Sequence, residues 1–320
     1  MSNWEKIDWS IYLHQIEKTP TLLEACERYE KDLKNIISSN IQYKKPPVLM
    51  LSGGVDSMLL GTILKKYFNL KSSITVACVK DTPDIVIASE SAKQLGIENN
   101  TIFTTYDEVI DNLSLCKGKN IKTVFDLVYY LMFRICMAKT DVSNTDLIQG
   151  DGADTLLGSI QSFMYIDSRR IAKKYKCSVA EAKTACKMKF YETAINPNNN
   201  SHKGAGHLFV EVAKELGANP IMAFKHPNIL RWVNRLNYDF SIPTKKHFHK
   251  SVIEYMGYNA KNVKRTVMQY GTGIYKDIQE HLKQITNEKN PNTAVRSFVN
   301  NSESLESLAM ANLNTQPNNP

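Results

Sequence analysis

Val48-Leu49-Met50-Leu51-Ser52-Gly53-Gly54-Val55-Asp56-Ser57 decides the fold of this chain. Four apolar residues, Val48 to Leu51, read as a buried strand. After the Ser-Gly-Gly-Val-Asp-Ser turn, Leu59, Leu60, Ile63, Leu64 and Phe68 follow at helical spacing. Strand, glycine turn and helix in that order make an anion site. Two adjacent glycines let backbone N–H groups close on a phosphate. The helix start adds about half a positive charge. Ser52 and Ser57 offer hydroxyl donors. Asp56 would repel a phosphate unless a cation joins it, and Mg²⁺ bridging Asp56 to phosphate oxygens resolves the conflict. No Gly-Lys-Ser/Thr follows, so this is not the kinase-type P-loop.

Outward from the turn, strands and helices alternate. Upstream, Thr21 with Glu24 forms a capping-box signal. Leu22, Leu23, Cys26, Tyr29, Leu33, Ile36 and Ile37 then make a helical stripe predicted to end near Ser39. Lys44-Lys45-Pro46-Pro47 imposes an extended approach to the strand. Downstream, Ile74 to Val79 reads as a second strand and Asp84 to Leu95 as an amphipathic helix closed by Gly96. Thr101 to Thr105 is a third strand, Val124 to Lys139 a long apolar helix, and Asp146 to Gln149 a fourth strand. This alternation predicts an α/β fold with a parallel sheet covered on both faces. Ligands bind such sheets at the carboxyl ends of strands. The glycine-rich segments 52–57 and 150–154 both follow strands, so they are expected to meet at one edge. From about Phe163 the pattern becomes helical, with helices predicted over His207–Leu216, residues 229–240 and residues 245–256. From Asn287 to Pro320, Asn, Ser, Thr and Pro dominate, which predicts a disordered tail with at most a brief helix over Ser304–Met310.

Composition narrows the function classes. At 320 residues and 42% hydrophobic content, a sizeable core is affordable. No run of about 18 apolar residues exists, so no membrane partner is expected. The opening Met1-Ser2-Asn3-Trp4-Glu5-Lys6 does not read as a signal peptide. Six cysteines without a Cys-x-x-Cys pair fit reduced thiols and a cytoplasmic location. A net charge of +8 suits a triphosphate site and also RNA or DNA. Arg169, Arg170, Lys173, Lys174, Lys176, Lys183, Lys187 and Lys189 read as a solvated helix face, with a nucleic-acid patch as the alternative. His247-Phe248-His249, and His202 with His207, lack companions at metal-ligand spacing, and Lys245, Lys246 and Lys250 make the first pair better suited to phosphate. His226 before Pro227 reads as a turn or packing residue.

Gly150-Asp151-Gly152-Ala153-Asp154, followed by Leu156-Leu157-Gly158, is the second strong signal. Two acids at a strand end are costly unless a cation meets them. Asp154 with Asp56 would hold Mg²⁺ on the pyrophosphate and polarise the α-phosphorus. The 52–57 turn resembles the PP-loop of the ATP pyrophosphatases, Ser-Gly-Gly-x-Asp-Ser, at all five defining positions. Those enzymes cleave ATP between the α- and β-phosphates and adenylate an oxygen of the substrate. Turn and acidic loop together resemble the synthetase domain of asparagine synthetase and β-lactam synthetase, which carries Gly-(Glu or Tyr)-Gly-(Ala or Ser)-Asp. Lys264-Arg265-Thr266-Val267-Met268-Gln269-Tyr270-Gly271-Thr272-Gly273-Ile274 resembles that family's late basic, glycine-rich loop.

The resemblance runs in three islands from about Pro47 to Ile274. It implies a five-stranded parallel sheet flanked by helices, Rossmann-like and of the adenine nucleotide alpha-hydrolase type, then a helical C-terminal region. The expected division is a helical extension at 1–46, a synthetase domain at 47–285 and a disordered tail at 286–320. ATP and Mg²⁺ are the implied cofactors. Nucleotide contacts fall on Leu51, Ser52, Gly53, Gly54, Val55, Asp56, Ser57, Val79, Gly150 and Gly152, and metal contacts on Asp56 and Asp154. Asp151, with Lys264 or Arg265, is the implied catalytic set. The implied chemistry has two steps: a carboxylate attacks ATP to give an acyl-adenylate and pyrophosphate, and an amine then displaces AMP.

Departures from the family pattern bear on the substrate. Asparagine synthetases begin with a glutaminase domain whose nucleophile is an N-terminal cysteine. Here Ser2 follows Met1 and the first strand starts at Val48, so ammonia is expected free or from a separate amidotransferase. Asp151 replaces Glu or Tyr and reaches less far as a base. The family's Gly-x-Glu-x-Arg-x-Pro-Phe is met by Gly217 and Phe224, but Asn219 and Ile221 replace the charged pair. Asparagine is therefore not the expected product: the adenylating half is retained and the acceptor half rebuilt. The expected function is an ATP-dependent carbon–nitrogen ligase joining a small carboxylate to ammonia or an amine. Two alternatives stand beside it. One is a PP-loop enzyme adenylating a nucleobase in RNA or DNA, which the charge permits and the absence of cysteine pairs opposes. The other is a non-catalytic ATP-binding relative, which Asn219 permits.

Overall fold

The computed structural model describes residues 6–17, 20–78, 83–156, 164–195, 206–236, 245–260 and 274–300. In chain order the elements are α1 (Ser10–Leu13), α2 (Leu22–Asn40), β1 (Val48–Met50), α3 (Val55–Tyr67), β2 (Ser72–Ala77), α4 (Pro83–Leu95), β3 (Glu98–Phe103), α5 (Tyr106–Asp111), α6 (Val124–Ala138) and β4 (Asp146–Ile148). They continue with α7 (Ala153–Leu156), α8 (Met164–Tyr175), α9 (Val179–Ile195), α10 (Gly206–Glu215), β5 (Asn219–Ile221), α11 (Pro227–Arg235), α12 (Lys245–Tyr255), α13 (Tyr275–Thr286) and α14 (Pro291–Asn300).

The five strands form one parallel sheet in the order β3-β2-β1-β4-β5. β1 is central, and its neighbours β2 and β4 lie on opposite sides, so chain order reverses at the β1/β4 boundary. β3 begins at Glu98, three residues before the apolar stretch that marks it in the sequence. It is an edge strand, and its polar first half, Glu98 to Asn100, is tolerated on the open side. β5 carries no strand signal of its own. It is three residues long and contains Pro220, which an edge position accepts.

Each face of the sheet buries a separate core. On one side α2, α3, α11 and α12 enclose Tyr29, Leu33, Ile63, Phe224 and Val252. On the other, α6, α10, α13 and α14 enclose Leu127, Phe209, Ile278 and Phe298. The capping box at α2 forms: Glu24 N donates to Thr21 Oγ1 at 3.2 Å and Thr21 N to Glu24 Oε2 at 2.8 Å.

α2 packs on the sheet: its Cys26, Tyr29, Leu33 and Ile37 share a core with Leu49 of β1. Behind it, buried Asp146 accepts from Gln42 N and Tyr43 N, both at 3.0 Å, and from Asn219 Nδ2 at 2.6 Å. At the other end, residues 291–300 form a helix where composition predicts disorder. Ala294, Val295, Phe298 and Val299 fall on one face and are buried against the sheet's second core. Residues 301–320 lie outside the described part of the chain.

The basic run divides. Arg169, Arg170, Lys173 and Lys174 are exposed. Lys187 is fully buried, donating from Nζ to Val233 O at 3.0 Å and Leu236 O at 3.5 Å, where it caps the end of α11. Burial lowers its amine to about 7. Among the described residues, no helix is long and apolar enough to cross a membrane.

Candidate active site

β1 and β4 are adjacent and parallel, so the turns that follow them share one edge of the sheet. At the end of β1, Leu51 N donates to Ile74 O at 2.8 Å and Thr75 Oγ1 to Leu51 O at 2.7 Å. The chain then reverses at Gly53, whose φ of +72° favours glycine. A Cβ there would lie 2.8 Å from Ala88 N, so α4 excludes a side chain as well.

α2, α5 and α6 each start with a threonine that closes a capping box. α3 starts with Gly54, which has no side chain to occupy the helix end. The serines hold the turn instead. Ser57 Oγ donates to Gly54 O at 2.9 Å and accepts from Ser52 N at 3.3 Å, and the two hydroxyls sit 3.2 Å apart. An open helix start, a glycine turn and paired hydroxyls can receive phosphate.

The acidic loop meets this turn directly. A Cβ on Gly150 would fall 3.2 Å from Ser57 N and 3.3 Å from Asp56 C, so the two loops are in contact at Gly150. Asp154 lies in α7, and its side chain is outside the described part. Mg²⁺ takes one or two carboxylates with phosphate oxygens rather than an all-protein cage. Among the described residues, no three His, Cys, Asp or Glu side chains cluster as a metal site. Asp56 supplies a hard oxygen beside the open helix start, the kind of donor Mg²⁺ takes.

Asp56 carries a partner the sequence does not announce. Its Oδ1 lies 2.7 Å from Nδ1 of His249, on α12. His249 is fully buried and its Nε2 lies 2.9 Å from the Tyr29 hydroxyl, on α2. Burial first, and then the charge of Asp56, push the Tyr29 phenol well above its ordinary value. The two histidines of the His-Phe-His segment thus separate: His247 is exposed and His249 is buried under the nucleotide turn. His226 accepts from Asn228 N at 3.3 Å and caps α11.

Asp151 pairs with Lys225, Oδ2 to Nζ 2.8 Å, and each side chain is a little over a third exposed. Glycines admit this pair. Gly152, at φ +98°, has the Lys225 stem across it, where a Cβ would be 2.6 Å from Lys225 Cγ. Gly206, at the start of α10, covers the charges: a Cβ there would meet Asp151 Oδ2 at 2.2 Å and Lys225 Nζ at 2.3 Å. Next to Asp151, Gln149 is buried at the end of β4 and donates from Nε2 to the Tyr129 hydroxyl, while its Oε1 has no partner among the described residues. Burial, then the charge of Asp151, raise the Tyr129 phenol well above its usual range.

Other expected residues fall elsewhere. Asn219 donates to Asp146 and to Asn40 O at the amino end of β5, the opposite end from the glycine turns. Met222 and Lys225 follow the carboxyl end of that strand instead. Val79, Lys264 and Arg265 lie outside the described residues. Burial pushes the Cys26 thiol up to about 11 and the Cys78 and Cys136 thiols to about 12.

A model of the asparagine synthase family matches residues 28–266. Among solved structures, an NH3-dependent NAD synthetase from Campylobacter jejuni in complex with the nitrate ion is 15% identical, with a TM-score of 0.31, over 66% of this chain and 93% of that one. NMN synthetase from Francisella tularensis is 14% identical, with a TM-score of 0.33, over 80% of this chain and 94% of that one. Comparison with curated proteins found no match.

Proposed function

This chain belongs to the asparagine synthase family, and from that premise we propose that it is an AMP- and pyrophosphate-forming ligase. It adenylates a small carboxylate and passes the acyl group to ammonia or an amine. The observation that carries this reading is the contact of Gly150 with the first turn of α3, which sets Asp151 beside the phosphate turn.

Residues 52–57 hold the triphosphate with backbone N–H groups and the two serine hydroxyls. A substrate carboxylate oxygen attacks the α-phosphorus and pyrophosphate departs. Mg²⁺, when held by Asp56 and Asp154, offsets charge on the phosphates and favours that departure. The amine nitrogen then attacks the acyl carbon, AMP leaves, and Asp151 takes the proton the amine gives up. Lys225 holds Asp151 in place. Lys264 or Arg265 is the proposed source of positive charge on the phosphates. Asn219 ties strands together at the far end of the sheet, so acceptor choice is assigned to Gln149, Asp151, Met222 and Lys225.

The test is AMP and pyrophosphate release from Mg²⁺-ATP, across pools of mono- and dicarboxylates with ammonia, and separately with RNA and DNA. AMP with a carboxylate pool supports the ligase. Turnover with nucleic acid alone replaces it with a nucleobase-modifying enzyme, and ADP release overturns the PP-loop assignment.

A further inference from the structure

We propose that Tyr29 and His249 are positioning residues that aim the Asp56 carboxylate at the metal. The inference rests on the reading of Asp56 as a metal ligand and goes beyond it, since both residues are fully buried behind that carboxylate.

Three elements distant in sequence meet here. Tyr29 comes from α2, His249 from α12 and Asp56 from the first turn of α3, and α12 packs on both other helices. The chain of contacts is Tyr29 Oη to His249 Nε2, 2.9 Å, then His249 Nδ1 to Asp56 Oδ1, 2.7 Å. An ionised carboxylate only accepts, so Nδ1–H donates to Asp56, and the tyrosine hydroxyl meets Nε2 on the other side of the ring. The phenol keeps its proton, because burial and the charge of Asp56 both hold it.

Packing alone does not explain a histidine at this position. His249 is 0% exposed and lies among aromatic rings, stacked on Phe224 at a centroid distance of 5.2 Å and beside Tyr29 at 5.5 Å. A phenylalanine would fill such a site with no polar atom to satisfy. The two nitrogens are of use only at the end of the chain that meets solvent, and that end is Asp56, whose side chain is 24% exposed. With Oδ1 held by His249, rotation of the carboxylate is restrained. Outer partners that orient a metal ligand in this way typically change metal affinity by about 10- to 100-fold when removed.

The experiment measures Mn²⁺ binding by electron paramagnetic resonance in the presence of a non-hydrolysable ATP analogue, with thermal melting alongside. The variants are His249→Phe, His249→Asn, Tyr29→Phe and Asp56→Asn. We expect the Mn²⁺ dissociation constant to rise about 10-fold in His249→Phe. His249→Asn keeps a donor near the Nδ1 position and recovers most of that loss. Tyr29→Phe keeps the ring volume, releases the imidazole tautomer and gives an intermediate loss. If His249→Phe does not fold, Tyr29→Phe and His249→Asn carry the comparison. Lowered melting with Mn²⁺ affinity within twofold of the parent in His249→Phe or Tyr29→Phe overturns the positioning role. Unchanged Mn²⁺ affinity in Asp56→Asn instead overturns the metal assignment itself, so the two failures are distinguishable.

Discussion

Gly150→Ala tests whether contact between the two loops sets the site. The new Cβ would sit 3.2 Å from Ser57 N and 3.3 Å from Asp56 C, both backbone atoms that cannot rotate away. Ordinary contact needs about 3.5–4.0 Å, so the loops must part by roughly 0.3–0.5 Å. Misplacing reacting groups by about 1 Å costs on the order of 100-fold in rate. A shift of this size therefore predicts a loss of about 5- to 10-fold in kcat for AMP release, which is about 1–1.4 kcal/mol. Stability should change little. Overpacking costs about 1–3 kcal/mol, and replacing glycine where φ is not positive returns about 0.4–1.

The control is Gly61→Ala, buried on α3, whose first turn Gly150 touches, but facing the core, where a Cβ would meet Leu95 Cδ1 at 2.6 Å and Leu49 Cδ2 at 3.2 Å. It should lower melting by a few degrees and leave the kinetics intact. Steady-state AMP release at varied Mg²⁺-ATP, with melting curves, reads both. If Gly150→Ala keeps kcat within twofold of the parent, or if Gly61→Ala matches its kinetic loss, the argument from loop contact is refuted.

Three further outcomes follow from the same structure. Lys225→Met should cost under about 1 kcal/mol of stability, since the pair with Asp151 is partly exposed; ATP–pyrophosphate exchange should persist while product formation falls, and equal loss of both would remove Lys225 from the acceptor step. Lys187 has its folded amine lowered to about 7 from 10.5, so the folded state sheds its proton before the unfolded state does; stability should rise with pH by up to about 1.4 kcal/mol per unit between those two values and level off above them, and urea titrations should show that rise vanishing in Lys187→Met, whereas parallel curves for the two proteins would refute it. Phe298→Ala, at a fully buried ring of α14, should cost about 3–5 kcal/mol in denaturant unfolding; a loss under about 1 kcal/mol would return residues 291–300 to the tail.

How much of this is legible in the sequence depends on whether the signal is local. The glycine turn, the acidic loop and the Thr21 box are runs of neighbouring residues, and their partners are a few positions away. Their meeting at one edge follows from strand order alone. β5 escapes notice because three residues with a proline carry no period, and only pairing with β4 makes them a strand. α14 is hidden by its flanking asparagines, although Ala294, Val295, Phe298 and Val299 have helical spacing. His249 and Tyr29 lie 220 positions apart, and nothing near either one marks the other. Lys225 is similar: it follows Phe224 in a segment read for its missing Glu and Arg, and its meaning comes from Asp151 across the sheet edge. Asn219 is a further case: ungapped alignment sets it at the family's Glu, whereas the fold puts it at the amino end of β5, away from the glycine turns.

Asp146 has a consequence for dividing this protein. Its carboxylate is buried and holds the backbone of Gln42 and Tyr43, which lie before the first strand. A fragment starting at Pro46 would retain that carboxylate and lose two of the donors that satisfy it, leaving a negative charge inside an apolar wall. Expressed alone, such a fragment should be recovered as insoluble or swollen material. The smallest autonomous unit must begin ahead of Thr21, so that α2 enters with its cap and the segment behind it closes the rear of the sheet.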